Sequence, residues 1–193
     1  MRSKPLLVFL TFTLAGAAPF ARAHEGKMVE RTVAFVNKKP VLLSDVELTK
    51  ALLRLDDKTA LERTIDETLM SDEASRLVTE APAEASVVRA IATLREKAGP
   101  GFGNPALRRK ALAQLAISAY IELRLRPQVR VEAEAVRQAY NERLATNPLT
   151  PAFDLLEDAI RESLELKALD QKVEEWVASL RRRDDIRRVV DRP

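Results

Sequence analysis

The residues that could do chemistry in this sequence are few, and each lacks the companions its chemistry needs. His24 is the only histidine among 193 residues, and cysteine is absent. Cleavage of the chain after Ala23 would leave His24 with a free amine beside its imidazole, a pair that can chelate copper. That brace takes a second histidine, so the ligand set cannot be assembled and no metal is expected. Gly99-Pro-Gly-Phe-Gly-Asn-Pro105 is the one glycine-dense stretch. A phosphate-cradling loop needs a strand before it and a Lys-Ser/Thr pair after it, and neither is found. The stretch reads as a turn that ends in Asn104 as a helix cap, with Pro105 at the first helical position, where a missing N–H costs nothing.

Carboxylates are plentiful, but Glu157 with Asp158 and Glu174 with Glu175 are neighbours on helical stretches. Side chains one residue apart diverge by about 100° around a helix, so these pairs read as a solvated face and not as an acid and base. Tyr120 and Tyr140 stand at helical positions that packing accounts for. Arg181, Arg182 and Arg183 fall at the end of a long helix, where positive charge complements the carbonyl end of the dipole. That makes the run a structural feature before it is a binding patch. No catalytic group and no cofactor is expected.

The elements that position these residues follow an apparent secretory leader. Arg2 and Lys4 precede thirteen almost wholly apolar residues, Leu6 to Ala18, and Ala21-Arg22-Ala23 supplies the small residues a signal peptidase needs. The apolar run is shorter than the roughly 20 residues that cross a bilayer, and Pro19 interrupts it. Cleavage between Ala23 and His24, export to the periplasm and no stable membrane insertion afterwards are expected. The leader holds Arg2, Lys4 and Arg22 and no acid, so residues 24–193 carry 29 basic against 29 acidic residues. The apparent basic balance disappears, which argues against nucleic acid as a partner. Without cysteine, a fold in an oxidising compartment must hold by packing alone. At 170 residues, 24–193 is long enough to do so as one domain.

Thr32 to Glu47 (TVAFVNKKPVLLSDVE) reads as strand, turn, strand and a helix opened by a Ser44/Glu47 capping box. That helix runs to about Leu55, and Asp56-Asp57 caps the next. In the second helix Leu61, Ile65, Leu69, Ala74 and Leu77 form one apolar stripe, ending near Thr79. A third helix spans Glu84 to Lys97 with Val87, Val88, Ile91 and Leu94 inside. A fourth carries Leu107, Leu112, Leu115, Ala119 and Leu123 and ends at Pro127. After an extended link, Val129 to Val131, a fifth contains Val136, Ala139, Tyr140 and Leu144. The turn Ala145 to Pro151 then leads into a helix of about thirty residues, roughly 45 Å long, with Phe153, Leu156, Ile160, Leu164, Val173, Trp176, Val177 and Leu180 along it. Such a helix calls for a groove along most of its length. A closing strand, Ile186 to Val190, is expected beside Val33 to Val36.

These segments resemble the N-terminal domain family of SurA-like periplasmic chaperones. Val33-Ala34-Phe35-Val36-Asn37 and Val41-Leu42-Leu43-Ser44-Asp45-Val46 are similar to the family's opening strand pair. Within LERTIDETLMSDEASRL, the positions Ile65, Asp66, Glu67, Leu69, Glu73, Ala74, Arg76 and Leu77 match its second-helix pattern. Val129 to Tyr140 resembles the approach to the family's parvulin isomerase domain, and Trp176 to Val190 the return from it. Only residues 144–152 stand where that domain would be. The resemblance implies a mainly α domain with a small β pairing between the first and last strands and the long C-terminal helix packed in the groove.

For function it implies an ATP-independent holdase that binds unfolded or extended segments of envelope or outer-membrane proteins, without prolyl isomerase activity. Phe102, Phe153 and Leu149, beside the glycine and proline turns, are the candidate client-binding residues. The alternatives are a protein with one dedicated periplasmic partner, a swapped homodimer, and a subunit that recruits a separate isomerase.

Overall fold

The computed structural model describes residues 30–77 and 80–189. The leader, Ala21, Ala23, His24, Thr79 and Val190 lie outside the described residues. Strand β1 (Thr32–Val36) turns through Asn37 and Lys38 into β2 (Lys39–Leu42). A two-residue hairpin needs positive φ, and Asn37 supplies it at 56°. Helices follow as α1 (Leu43–Leu53), α2 (Asp57–Leu77), α3 (Glu84–Ala98), α4 (Asn104–Tyr120), α5 (Ala133–Thr146) and α6 (Phe153–Arg183), and the chain closes with β3 (Ile186–Arg188). The sheet order is β2-β1-β3, antiparallel throughout, with Val36 opposite Ile186 and Ala34 opposite Arg188. The first and last strands therefore pair as the sequence implied.

Asn37 ties that pairing down. Its backbone N–H donates to Asp185 O at 2.7 Å, and its side-chain oxygen accepts from the Asp185 N–H at 3.1 Å. One buried cluster joins the sheet to α2 and to the end of α6, through Ala34, Val36, Ile65, Leu69, Trp176 and Leu180. Trp176 stacks on Tyr120 with ring centroids 4.2 Å apart, a contact worth about 0.5–1.5 kcal/mol beyond its burial. A second cluster, Leu48, Val87, Leu94, Ala106, Leu107 and Ala111, packs α1, α3 and α4 together.

Helix α1 begins at Leu43 with no side-chain cap, so Ser44 and Glu47 form no capping box. Tertiary partners take the serine: its hydroxyl donates to Glu30 at 2.6 Å and accepts from Arg109 at 3.0 Å. Asn104 does not cap α4 either, because the preceding Gly103 is the cap position and the Asn104 oxygen accepts from Arg95. Asp56 does cap α2, accepting from the Thr59 N–H at 3.0 Å. Val88 faces solvent, since α3 buries only the narrow Val87/Leu94 edge. In α4 the buried side is Ala106, Leu107, Lys110, Ala111 and Tyr120, while Leu112, Leu115 and Ala119 line a hollow of about 280 Å³ with Ala81 and Pro82. Leu123 is exposed and Leu125 buried. The reason is a π turn, Ile121–Leu125, whose extra residue rotates the following side chains out of the α-helical register.

Helix α6 does not lie in one groove. Its C-terminal half packs on the body through Leu169, Trp176 and Leu180, but its N-terminal half packs on α5. Val136 of α5 and Ile160 of α6 are fully buried yet belong to neither body cluster. The α5–α6 hairpin thus carries a small core of its own and forms an arm on the helical body.

Candidate functional site

The arm holds a cleft of about 600 Å³ between α5 and α6. Its floor is aliphatic, from Ala139, Leu156, Ile160 and Leu164, and its rim is polar and of both signs, with Glu142, Arg143 and Lys167. Tyr140 and Phe153 hold the open end: their rings meet edge to face at 5.3 Å, and the Tyr140 hydroxyl donates to Pro151 O at 3.1 Å. Arg137 covers the Phe153 ring at 4.6 Å. Asn147 shapes the connecting turn, its side-chain oxygen accepting from the Leu149 N–H at 3.1 Å. Leu149 projects from that turn and is 90% exposed. An aliphatic floor under a polar rim is the general make-up of a ligand-binding recess.

Of the three residues singled out in the sequence, the fold places Leu149 within this turn and Phe153 where it enters α6. Phe102 is elsewhere, packed on the second body cluster as a staple between the α3–α4 loop and the helices. Phe153 is likewise committed to ring packing, which leaves Leu149 as the accessible one. Leu156, Ile160 and Leu164 read as core from their spacing alone. What periodicity does not reveal is that Ile160 alone is fully buried, while Leu156 and Leu164 on either side of it stay part-exposed in the cleft.

A second feature went unread in the sequence: a buried ionic cluster where α1, α2 and α4 meet. Lys110, 8% exposed, donates to Glu67 and, at 2.8 Å, to Thr49 Oγ1. Thr64 donates to the same Thr49 oxygen at 3.1 Å. Glu67 Oε1 is buried without a hydrogen-bond partner, and burial pushes the Glu67 carboxyl above its ordinary range against the pull of Lys110. Burial also raises Asp45, opposed by the Arg109 guanidinium that binds it at 2.8 Å. The available signal was Lys110 three residues after Leu107, on an apolar face. The cluster's bonds join α1, α2 and α4 to one another.

Two arginines of the run are structural. Arg181 donates to Asp66 at 2.5 Å and to Glu62 at 3.0 Å, and Arg183 to Glu73 at 2.9 Å, fastening α6 to α2. Burial raises the Glu62 carboxyl, but bonds from Arg188 and Arg181 outweigh it and hold the group below its usual range. Among the described residues no group of three His, Cys, Asp or Glu is placed to hold a metal ion, and no helix is long and apolar enough to cross a membrane. No protein-family model matches the chain, and no characterised protein matches it.

Proposed function

We propose that this chain is a non-enzymatic, ATP-independent holdase of the SurA-like type, exported to the periplasm, that takes extended apolar segments of unfolded envelope proteins into the cleft of the α5–α6 arm. The observation that carries the reading is that cleft, with an aliphatic floor, a mixed polar rim and Leu149 free at its tip. A floor of this kind accepts many side chains, while rim groups of both signs meet backbone amides without selecting one sequence. Binding therefore needs no chemistry and no cofactor. On the resemblance, only residues 144–152 stand where the family carries its isomerase, so a protease-coupled prolyl isomerisation assay is expected to give no turnover.

The test is suppression of aggregation when a urea-unfolded outer-membrane barrel protein is diluted into buffer with residues 24–193. Near-stoichiometric suppression is expected, with loss of it in an Ala139→Glu, Leu164→Glu double variant of unchanged helicity. No suppression by the unaltered protein, or equal suppression by the double variant, would sink the reading. N-terminal sequencing of exported protein tests the compartment: a chain starting at His24 supports it, and one starting at Met1 refutes cleavage.

A further inference from the structure

Helix α6 carries two separate apolar seams. One, with Phe153, Leu156, Ile160 and Leu164, faces α5 and its cleft. The other advances in strict alternation of four and three residues, the spacing that keeps one face of a helix in register with a partner helix. Its inner half is Leu169, Val173, Trp176 and Leu180, packed in or against the body core. Its outer half is Leu155, Ala159, Glu162 and Leu166, and all four are exposed, Leu155 at 78% and Leu166 at 51%. At about 100° per residue, the eight positions fall within an arc of about 100°. The face that α6 buries against the body thus continues onto the arm with nothing covering it. From Leu155 to Leu166 it extends about 17 Å, three helical turns.

The charges along the outer half have one sign. Asp158 and Glu162 lie on or beside it and form no ion pair among the described residues, and Glu165 and Asp170 flank its inner end. The cations of α6 are elsewhere: Arg161 binds Glu157 at 2.7 Å and Lys172 binds Glu175 at 2.8 Å, while Lys167 belongs to the cleft rim. Arg126, whose field reaches Glu165, is itself bound to Glu122 at 2.5 Å. A second copy laid on this seam would set carboxylates against carboxylates, which is destabilising at close range. A helix with aliphatic residues in the same repeat and lysine or arginine beside them would meet both the apolar stripe and the acids.

We propose that the outer seam of α6 is a docking surface for a cationic amphipathic helix of another protein. The surface is distinct from the cleft and lies about a third of a turn around α6 from it. It gives the holdase a fixed helical partner in addition to its extended clients.

The probe is a synthetic 21-residue helical peptide with leucine at the two seam positions of each heptad and lysine beside them, paired with a twin bearing glutamate for lysine. Titrated by fluorescence anisotropy, the lysine peptide is expected to bind at least tenfold more tightly than its twin and to weaken as salt is added. Leu155→Ser with Leu166→Ser should weaken it tenfold or more at unchanged helicity, since both side chains are already exposed. Asp158→Lys with Glu162→Lys should reverse the preference between the two peptides. The Ala139→Glu, Leu164→Glu cleft variant should bind the peptide normally, which separates this surface from the holdase reading. Equal binding of the twins, indifference to the seam variants, or loss in the cleft variant overturns the proposal. So does a concentration-dependent dimer that Leu155→Ser with Leu166→Ser abolishes, because the occupant would then be a second copy.

Discussion

Replacing Lys110 by methionine tests whether the ionic cluster is as dry as its burial says. The ammonium contacts Glu67 and Thr49, and it is the cation bound to a carboxylate whose other oxygen already lacks a partner. Removing it leaves the Glu67 charge buried and uncompensated, a loss of about 3–5 kcal/mol at neutral pH. For a domain of this size 1 kcal/mol moves Tm by about 2–4 °C, so a fall of roughly 6–20 °C is expected. The sign of the pH dependence follows from the raised Glu67 carboxyl. The folded state holds that proton more tightly than the unfolded state, so stability is fullest below the ordinary glutamate range and declines as pH rises through the raised value. In Lys110→Met the opposing ammonium is gone and the carboxyl rises further, so the deficit should shrink steadily as pH is lowered. Glu67→Met combined with Lys110→Met should recover most of the loss, because an apolar pair leaves no charge to solvate. Urea unfolding followed by Trp176 fluorescence measures all three. A single variant within 1 kcal/mol of the parent at pH 7, or a deficit independent of pH, would refute the reasoning and place water at the pair.

Removing Asp184 to Pro193 takes away β3, Arg188 from Glu62, and the backbone bonds to Asn37 and Val33. At roughly 1 kcal/mol per bond, thermal melting should drop by several degrees or more, and an unchanged Tm would show that the strand pairing is idle. Asn37→Ala forfeits both the left-handed turn residue and the clamp on Asp185, and should cost about 1–3 kcal/mol in urea unfolding. Asp56→Ala should destabilise by about 1 kcal/mol through loss of a helix cap; the same measurement on Glu47→Ala should give little change, since no capping box exists there. Hydrogen exchange should find the amides of α5 less protected than those of α2, because the arm rests on a small core of its own; equal protection would contradict a separate arm.

Much of the local structure was written in local chemistry. Asn37-Lys38 between two β-prone runs dictates a hairpin, Asp56 dictates a helix start, and the 3.6-residue recurrence of apolar residues dictates long helices. These signals act over a few residues and do not depend on neighbours far along the chain. The pairing of the first and last strands was legible through the resemblance of the two ends of the chain to one family's opening and closing segments, since β3 itself, IRR, carries only Ile186 as an apolar residue. Ser44 and Asn104 went the other way. Each has the residue type of a cap, but Arg109 with Glu30 in one case and Arg95 in the other offered charge-assisted bonds, which are stronger than a cap.

The candidate site was the least legible part. Leu156, Ile160 and Leu164 have the spacing of core residues, and Leu155 and Leu166 share the repeat of Trp176 and Leu180. Sequence by itself determined that α6 is apolar along two sides, because helical periodicity places side chains around an axis whatever surrounds it. Only the tertiary structure decided which stretches are covered. The body ends near Leu169, α5 shields one side of what remains, and the rest of the helix meets solvent because burial depends on where distant segments run.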